Sequence, residues 1–186
     1  MTEFRESPSQ TAGPYVHIGC MPGVAGIQGM YGDTDPGSEM VQTVCADPVI
    51  SLEVGVLDGA GAPVCDAMIE IWQAGPEGSF GVTRGFCNWG RAATDAATGV
   101  ATFETLRPGA IGSQAPHILV WIVARGINLG LMTRIYFDDA PETNARDEVF
   151  KIAGDRAGTL VARSVSGGFR HTIRLQGPDE TVFFDV

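Results

Sequence analysis

From Val49 onward the chain repeats one pattern: a short run of alternating or β-branched apolar residues, closed by a turn that contains Gly or Pro. VISLEVGVL over 49–57 alternates, and DGAGAP over 58–63 supplies the turn. In AMIEIW, Met68, Glu70 and Trp72 share one face, and Ile69 and Ile71 take the other. A period of two places successive side chains on opposite faces of a pleated strand, so one face can be buried while the other meets water. A Gly-rich loop is expected to follow through Trp89, and DAATG over 95–99 reads as another turn. Strands are then expected over Val100–Leu106, Ile118–Ala124, Leu131–Phe137, Thr159–Arg163, Phe169–Leu175 and Thr181–Val186. The run ILVWIVA at 118–124 is continuously apolar but too short and too β-branched for a helix, so it reads as a buried strand. Only Asn144–Ile152 suggests a short helix. The pattern predicts an all-β fold, a β-sandwich of mostly antiparallel strands with an extended N-terminal arm.

The arm is residues 1–47 and the sandwich 48–186. SPSQTAGPYVHIGCMPGVAGIQGMYGDTDPG has no sustained period of 2 or 3.6, yet Tyr15, Val16, Ile18 and Tyr31 are apolar groups that need cover. An ordered segment wrapping a partner chain satisfies both observations. The 25 Gly and 11 Pro are spread along the chain, as many turns between short strands require.

The formal net charge of −10 argues against nucleic acid, whose phosphates need a basic surface, and against an anionic membrane surface. Lys151 is the only lysine among 12 cations. Cys20, Cys45, Cys65 and Cys87 form no CxxC pair and fit no zinc spacing, so free thiols in a reducing cytoplasm are expected. The start MTEFRESPSQ lacks the apolar run of a signal peptide, and no stretch is long and apolar enough to span a bilayer.

DGAGAPVCDAMIEIWQAGPEGSF resembles the entry strands of the intradiol ring-cleaving dioxygenases. TDAATGVATFETLRPGAI resembles their T-D-x-x-G stretch, and APHILVWIVARGINLGLMTRIYF their P-x-H-I-H strand and the strand that follows it. SPSQTAGPYVHIG and IRLQGPDETVFFDV are similar to the opening and ending of the family's alpha-type chains. The resemblance therefore spans most of the chain in the right order. It implies a fold built around a ferric ion held by two tyrosinates and two histidines. Phenolate is a hard anionic donor suited to a hard cation, and the metal holds the tyrosine ionised far below its usual pKa.

At the positions the resemblance aligns with those ligands, this chain has Phe80, Ile111, His117 and Leu119. Only His117 can coordinate. Phe80, Ile111 and Leu119 are expected to close the site as apolar packing, with no metal held by this chain and no catalytic residue in this chain alone. The only other tyrosines and histidines are Tyr15, Tyr31, Tyr136, His17 and His171.

The resemblance implies an iron-free alpha-type subunit. Its partner would be a homologous beta subunit that binds Fe(III) and cleaves 3,4-dihydroxybenzoate (protocatechuate) with O2 to 3-carboxy-cis,cis-muconate. The pocket would lie at the interface of a large hetero-oligomer. It also implies that Gly13, Pro14 and Tyr15 of the arm, with Arg134, contribute to the partner's substrate site. Glycine admits close backbone approach, tyrosine gives an aromatic wall with a hydroxyl, and a guanidinium suits the substrate carboxylate. Thr11 and His17 are weaker neighbours in the same segment. Two other readings remain open: a self-sufficient intradiol dioxygenase, and a non-enzymatic transthyretin-like β-sandwich binding module, which shares the D-G-x-G-x-P-V entry.

Overall fold

The computed structural model describes residues 11–81 and 83–185; the first ten residues of the arm, Val82 and the terminal Val186 lie outside the described residues. Eight strands make the fold: β1 (Val49–Leu57), β2 (Met68–Gln73), β3 (Trp89–Ala93), β4 (Val100–Leu106), β5 (Ile118–Val123), β6 (Leu131–Phe137), β7 (Val161–Val165) and β8 (Gly168–Arg174). Their order across the sheet is β3-β2-β5-β6-β7-β8-β1-β4. The sheet curls until its edge strands β3 and β4 approach each other, so its two halves pack face to face.

Alternation explains the core. Leu52, Val54 and Val56 of β1 point inward with Ile69 and Ile71 of β2, Phe103 of β4, Ile118, Val120 and Ile122 of β5, and Ile135 and Phe137 of β6. Each such side chain contributes about 1.5–3 kcal/mol when fully buried. One polar tie crosses this interior. Thr105 Oγ1 donates to Gln73 Oε1 at 2.8 Å, and Gln73 Nε2 donates to the Leu106 carbonyl at 2.7 Å. The tie joins β2 to β4 from opposite sides of the core and leaves the buried amide paired.

The all-β expectation holds, with a correction to its pairing. Five of the seven strand pairings are antiparallel, but β1–β8 and β6–β7 are parallel. Parallel neighbours need a crossover of a dozen residues or more. Between β6 and β7 that crossover holds the helices: α2 (Pro141–Asn144), α3 (Glu148–Ile152) and a 3-10 segment (Gly154–Leu160). The expected Thr159–Arg163 strand accordingly begins later, at Val161.

Two further differences have local causes. The loop expected through Trp89 gives way to β3 at that residue. Its Gly90 and Arg91 hide the alternation, and Gly90 is needed because a Cβ there would collide with the thioether of buried Met40. The expected strand from Thr181 is reduced to a single bridge, Phe184 to Met132, plus a 2.7 Å bond from Thr133 Oγ1 to the Val182 carbonyl.

The segment before β1 is ordered over its described length. A short helix, α1 (Pro14–Cys20), is followed by turns and loops. Met21 and Met40 are buried, so the arm is fastened to the sandwich at both points. Arg91 makes a third fastening. Its Nε and Nη2 donate to Glu70 Oε1 at 2.8 and 2.6 Å, and its Nη1 donates to the Cys20 carbonyl at 3.0 Å. Its guanidinium lies 4.8 Å from the Trp89 ring centroid, and its backbone N–H donates to the Gly37 carbonyl at 2.8 Å.

Candidate functional site

Strand β5 links two distinct regions. At its start, the antiparallel register sets Leu119 opposite Arg134 of β6 and opposite Trp72 of β2, while Trp72 faces Trp89 of β3. Arg134 Nη1 donates to Gln114 Oε1 at 3.0 Å and to Tyr136 Oη at 3.3 Å. The Tyr136 ring is fully buried, edge-on to Phe150 at 5.0 Å and 5.8 Å from the His117 ring. Asp147, also fully buried, accepts from the backbone N–H groups of Ala115 and Val149, both at 2.8 Å, and so joins the start of α3 to the segment before β5.

The protonation states follow from burial. Burial pushes the Tyr136 hydroxyl up to about 12, with Arg134 opposing the rise, so it is a neutral phenol. His117 is held below the usual histidine range, chiefly by burial and further by the neighbouring Arg134 charge, although its bond to Ala115 opposes this. Its Nδ1 lies 2.7 Å from the Ala115 carbonyl. A neutral ring therefore donates from Nδ1 and has its lone pair on Nε2.

The expected apolar closure is corrected here. Phe80 is 56% exposed and does not fill the pocket. Ile111 is half-buried in a tight turn whose N–H and carbonyl groups pair with those of Gln114, and Leu119 is half-buried on the strand. Near these positions stands instead a polar group, Arg134 with Tyr136 and Gln114, and Tyr136 packs with Ala115, Leu160 and Val182 in an apolar cluster. The cause is the register: it sets the guanidinium opposite the residue aligned with the second histidine ligand. A ferric ion does not fit these residues. The aligned positions offer one imidazole and no phenolate, and a fixed cation stands beside them.

Beyond the end of β5 lies the second region. Thr11 Oγ1 accepts from the Gly126 N–H at 2.6 Å, which brings the arm against the turn after β5. Gly13 precedes α1 and Pro14 opens it, a position where the missing N–H of proline costs nothing. A cavity of about 220 Å³ is lined by Ala12, Gly13, Pro14, His17, Asp66 and Arg125. Tyr15, the next residue of α1, is not part of the lining and is 85% exposed. Arg125 Nε is 3.1 Å from Asp66 Oδ2, but its side chain is 79% exposed, so the pair is weak and the guanidinium can turn to another anion.

The four residues expected to act on substrate thus divide between the two regions. Gly13, Pro14 and Tyr15 lie together by the cavity, whereas Arg134 sits at the opposite end of β5. Leu119 and Val123 alone are about 13 Å apart by ordinary strand rise. The cation beside the arm is Arg125, which the sequence motifs do not single out. Its signal is its place in VARGIN, a turn after a buried strand, where functional side chains concentrate.

Comparison with known proteins shows the family and the fold. The protocatechuate 3,4-dioxygenase alpha chain of Pseudomonas putida is 38% identical over 195 residues, covering 97% of this chain and 96% of that protein. The alpha chain of the same name from Burkholderia cepacia is 40% identical over 204 residues, covering 100% of both. No family model matches the chain. Among solved structures, the dioxygenase domain of a carbohydrate-binding fusion from Streptomyces sp. SirexAA-E superposes with a TM-score of 0.59 at 24% identity, covering 90% of this chain and 96% of that one. The 3-chlorocatechol 1,2-dioxygenase of Rhodococcus opacus 1CP gives 0.56 at 19% identity, covering 75% of this chain and 64% of that one. These two likenesses establish the fold.

Proposed function

This chain belongs to the family of protocatechuate 3,4-dioxygenase alpha chains, and on that premise we propose that it completes a substrate pocket whose iron is held by a homologous beta subunit. The family's enzymes are oxidoreductases, and intradiol dioxygenases in general depend on iron. The chain's own donor set supports placing the metal on the partner: the aligned positions are Phe80, Ile111, His117 and Leu119, and Arg134 adds a positive charge there.

The observation that carries this reading is the exposed Arg125 side chain, which lines one cavity with Gly13 and Pro14, the residues that precede Tyr15. The substrate, 3,4-dihydroxybenzoate, presents a carboxylate that needs a cation and a ring that needs a wall. Arg125 donates charge-assisted hydrogen bonds to the carboxylate, each worth about 1.5–3 kcal/mol. Tyr15 offers the wall and a hydroxyl, and Gly13 lets the backbone approach closely. Arg134, the cation the sequence pointed to, is committed to Gln114 and Tyr136 and acts by closing this chain's own pocket. The partner supplies the iron and the ring opening.

Uncovered apolar surface supports an obligate partner. Of the twelve large exposed hydrophobic side chains among the described residues, six (Tyr15, Val24, Ile27, Met30, Tyr31 and Val44) lie in the arm, Trp72 and Phe80 lie on and after β2, and Val49, Leu129, Ile152 and Val165 are scattered. Apolar surface gathered in this way marks interfaces. The arm therefore wraps the beta subunit within a closed hetero-oligomer. No helix among the described residues is long and apolar enough to cross a membrane, and the four cysteines are unpaired, which fits the reducing cytoplasm.

Arg125→Ala and Arg134→Ala, each co-expressed with the beta subunit and assayed with protocatechuate and catechol, test the assignment. The expected result is a loss of kcat/KM for protocatechuate, but not for catechol, in Arg125→Ala alone. Equal preference in wild type and Arg125→Ala would remove that residue from carboxylate recognition.

A further inference from the structure

On the far side of the curled sheet, β7 and β8 form a hairpin whose outward face is unusually cationic for this chain. Arg163 of β7 is directly opposite Arg170 of β8 in the antiparallel register, and Arg174 follows on the same face of β8. Like charges directly opposite each other destabilise a strand pair. Yet the chain places them here although it has 22 acidic residues and only 12 basic ones. Glu53 of β1 neutralises Arg170, at 2.6 Å. Arg163 and Arg174 have no carboxylate within ion-pair distance among the described residues.

These side chains line a cleft of about 550 Å³ together with Thr172, Ser164, Thr159 and a single carboxylate, Asp179. The Thr172 hydroxyl is exposed and uncommitted among the described residues. Ser164 is engaged by Asp138, and Thr159 by Arg156 and Val182. Two guanidinium groups that make no ion pair among the described residues, and the Thr172 hydroxyl, therefore line one concave site, with Asp138 close enough to Arg163 to feel its charge.

We propose that this cleft is a binding site for a small, multiply charged oxyanion, a phosphate-bearing molecule or a polycarboxylate, held by Arg163, Arg174 and Thr172. Guanidinium forks match the paired oxygens of either group. Bound charge would also relieve the repulsion between Arg163 and Arg170. The site lies on strands that belong to neither region at the ends of β5, so it stands or falls independently of the substrate pocket.

Titration calorimetry on the complex co-purified with its partner tests the proposal, with inorganic phosphate and citrate as separate probes and sodium chloride at matched ionic strength as the blank. We expect saturable one-site binding by at least one probe and at least a tenfold weaker Kd in Arg163→Gln/Arg174→Gln. A response to phosphate alone assigns a phosphate ligand, and tighter binding of citrate assigns a polycarboxylate. Arg156→Gln, which alters a cation outside the cleft, should leave Kd unchanged. If the double variant misfolds, Arg163→Gln alone, at an exposed position, gives the same reading. No saturable heat beyond the chloride blank, an unaltered Kd in the cleft variants, or equal weakening by Arg156→Gln would each overturn the proposal.

Discussion

The pocket before β5 and the arm face beyond it hang on one strand but are built on opposite principles. In the pocket, Tyr136 and Asp147 are fully buried and the polar groups find partners within the chain. At the arm face, Tyr15 and Arg125 stand in solvent with little to hold them. A satisfied interior network contributes to stability, and an exposed unsatisfied one awaits a ligand. The contrast separates a region whose polar groups are held within the chain from one whose cation, Arg125, is left on the surface, where the proposed function needs it.

Several substitutions can break or sharpen that contrast. The largest effect is expected at Asp147, where Asp147→Ala strands the Ala115 and Val149 N–H groups. It should cost roughly 3 kcal/mol, read as a fall in the denaturation midpoint. A midpoint within error of wild type would mean that the pocket is not the stabilising region.

A comparable effect should come from pH. His171 is buried, neither ring nitrogen has a hydrogen-bond partner of ordinary geometry, and burial drives it down to about 4, with the nearby Val161 backbone opposing. The unfolded chain binds this proton near pH 6.5 and the folded chain only near pH 4. The stabilisation is therefore fully present above pH 6.5 and is lost as pH falls towards 4, by about 3 kcal/mol in all. Thermal melts between pH 7.5 and 4.5 should show this decline, and it should flatten in His171→Leu. An unflattened profile would assign the acid sensitivity to other groups.

Arg125→Ala should lower kcat/KM for protocatechuate by about tenfold with no shift in melting temperature, whereas Arg134→Ala should do the reverse, lowering the melting temperature and sparing substrate preference. Matching effects in both variants would erase the distinction between the two regions. The smallest change is expected when ligands are restored: Phe80→Tyr with Leu119→His should leave the purified chain close to iron-free while Arg134 remains. Stoichiometric iron, measured by metal analysis, would show that the guanidinium is no obstacle.

Much of this was legible in the sequence, unevenly. Strands β1 and β4 coincide with the alternation of VISLEVGVL and VATFETL, because one-sided burial imposes period two, and β6 coincides with LMTRIYF although its last three residues are all buried. β3 was hidden because Gly90 makes room for Met40 of the arm, a contact 50 residues away that no local pattern encodes. The parallel pairings were hidden for the same reason, since alternation marks a face and not a neighbour. The residues at the aligned positions could be read as types, but not what packs around them. That depends on which residue of β6 stands opposite Leu119, a matter of register. Arg125 escaped notice because its place beside Gly13 depends on the arm folding back to that turn, where Thr11 accepts from the Gly126 N–H.

The triple hold of Arg91 on Glu70, Trp89 and Cys20 has a kinetic corollary for assembly. A segment fastened before encounter arrives as a finished surface, so its rigidity is a cost already met by the monomer's own folding. Subunit joining should then proceed as rigid-body docking, first order in each chain, without a slow coupled-folding phase.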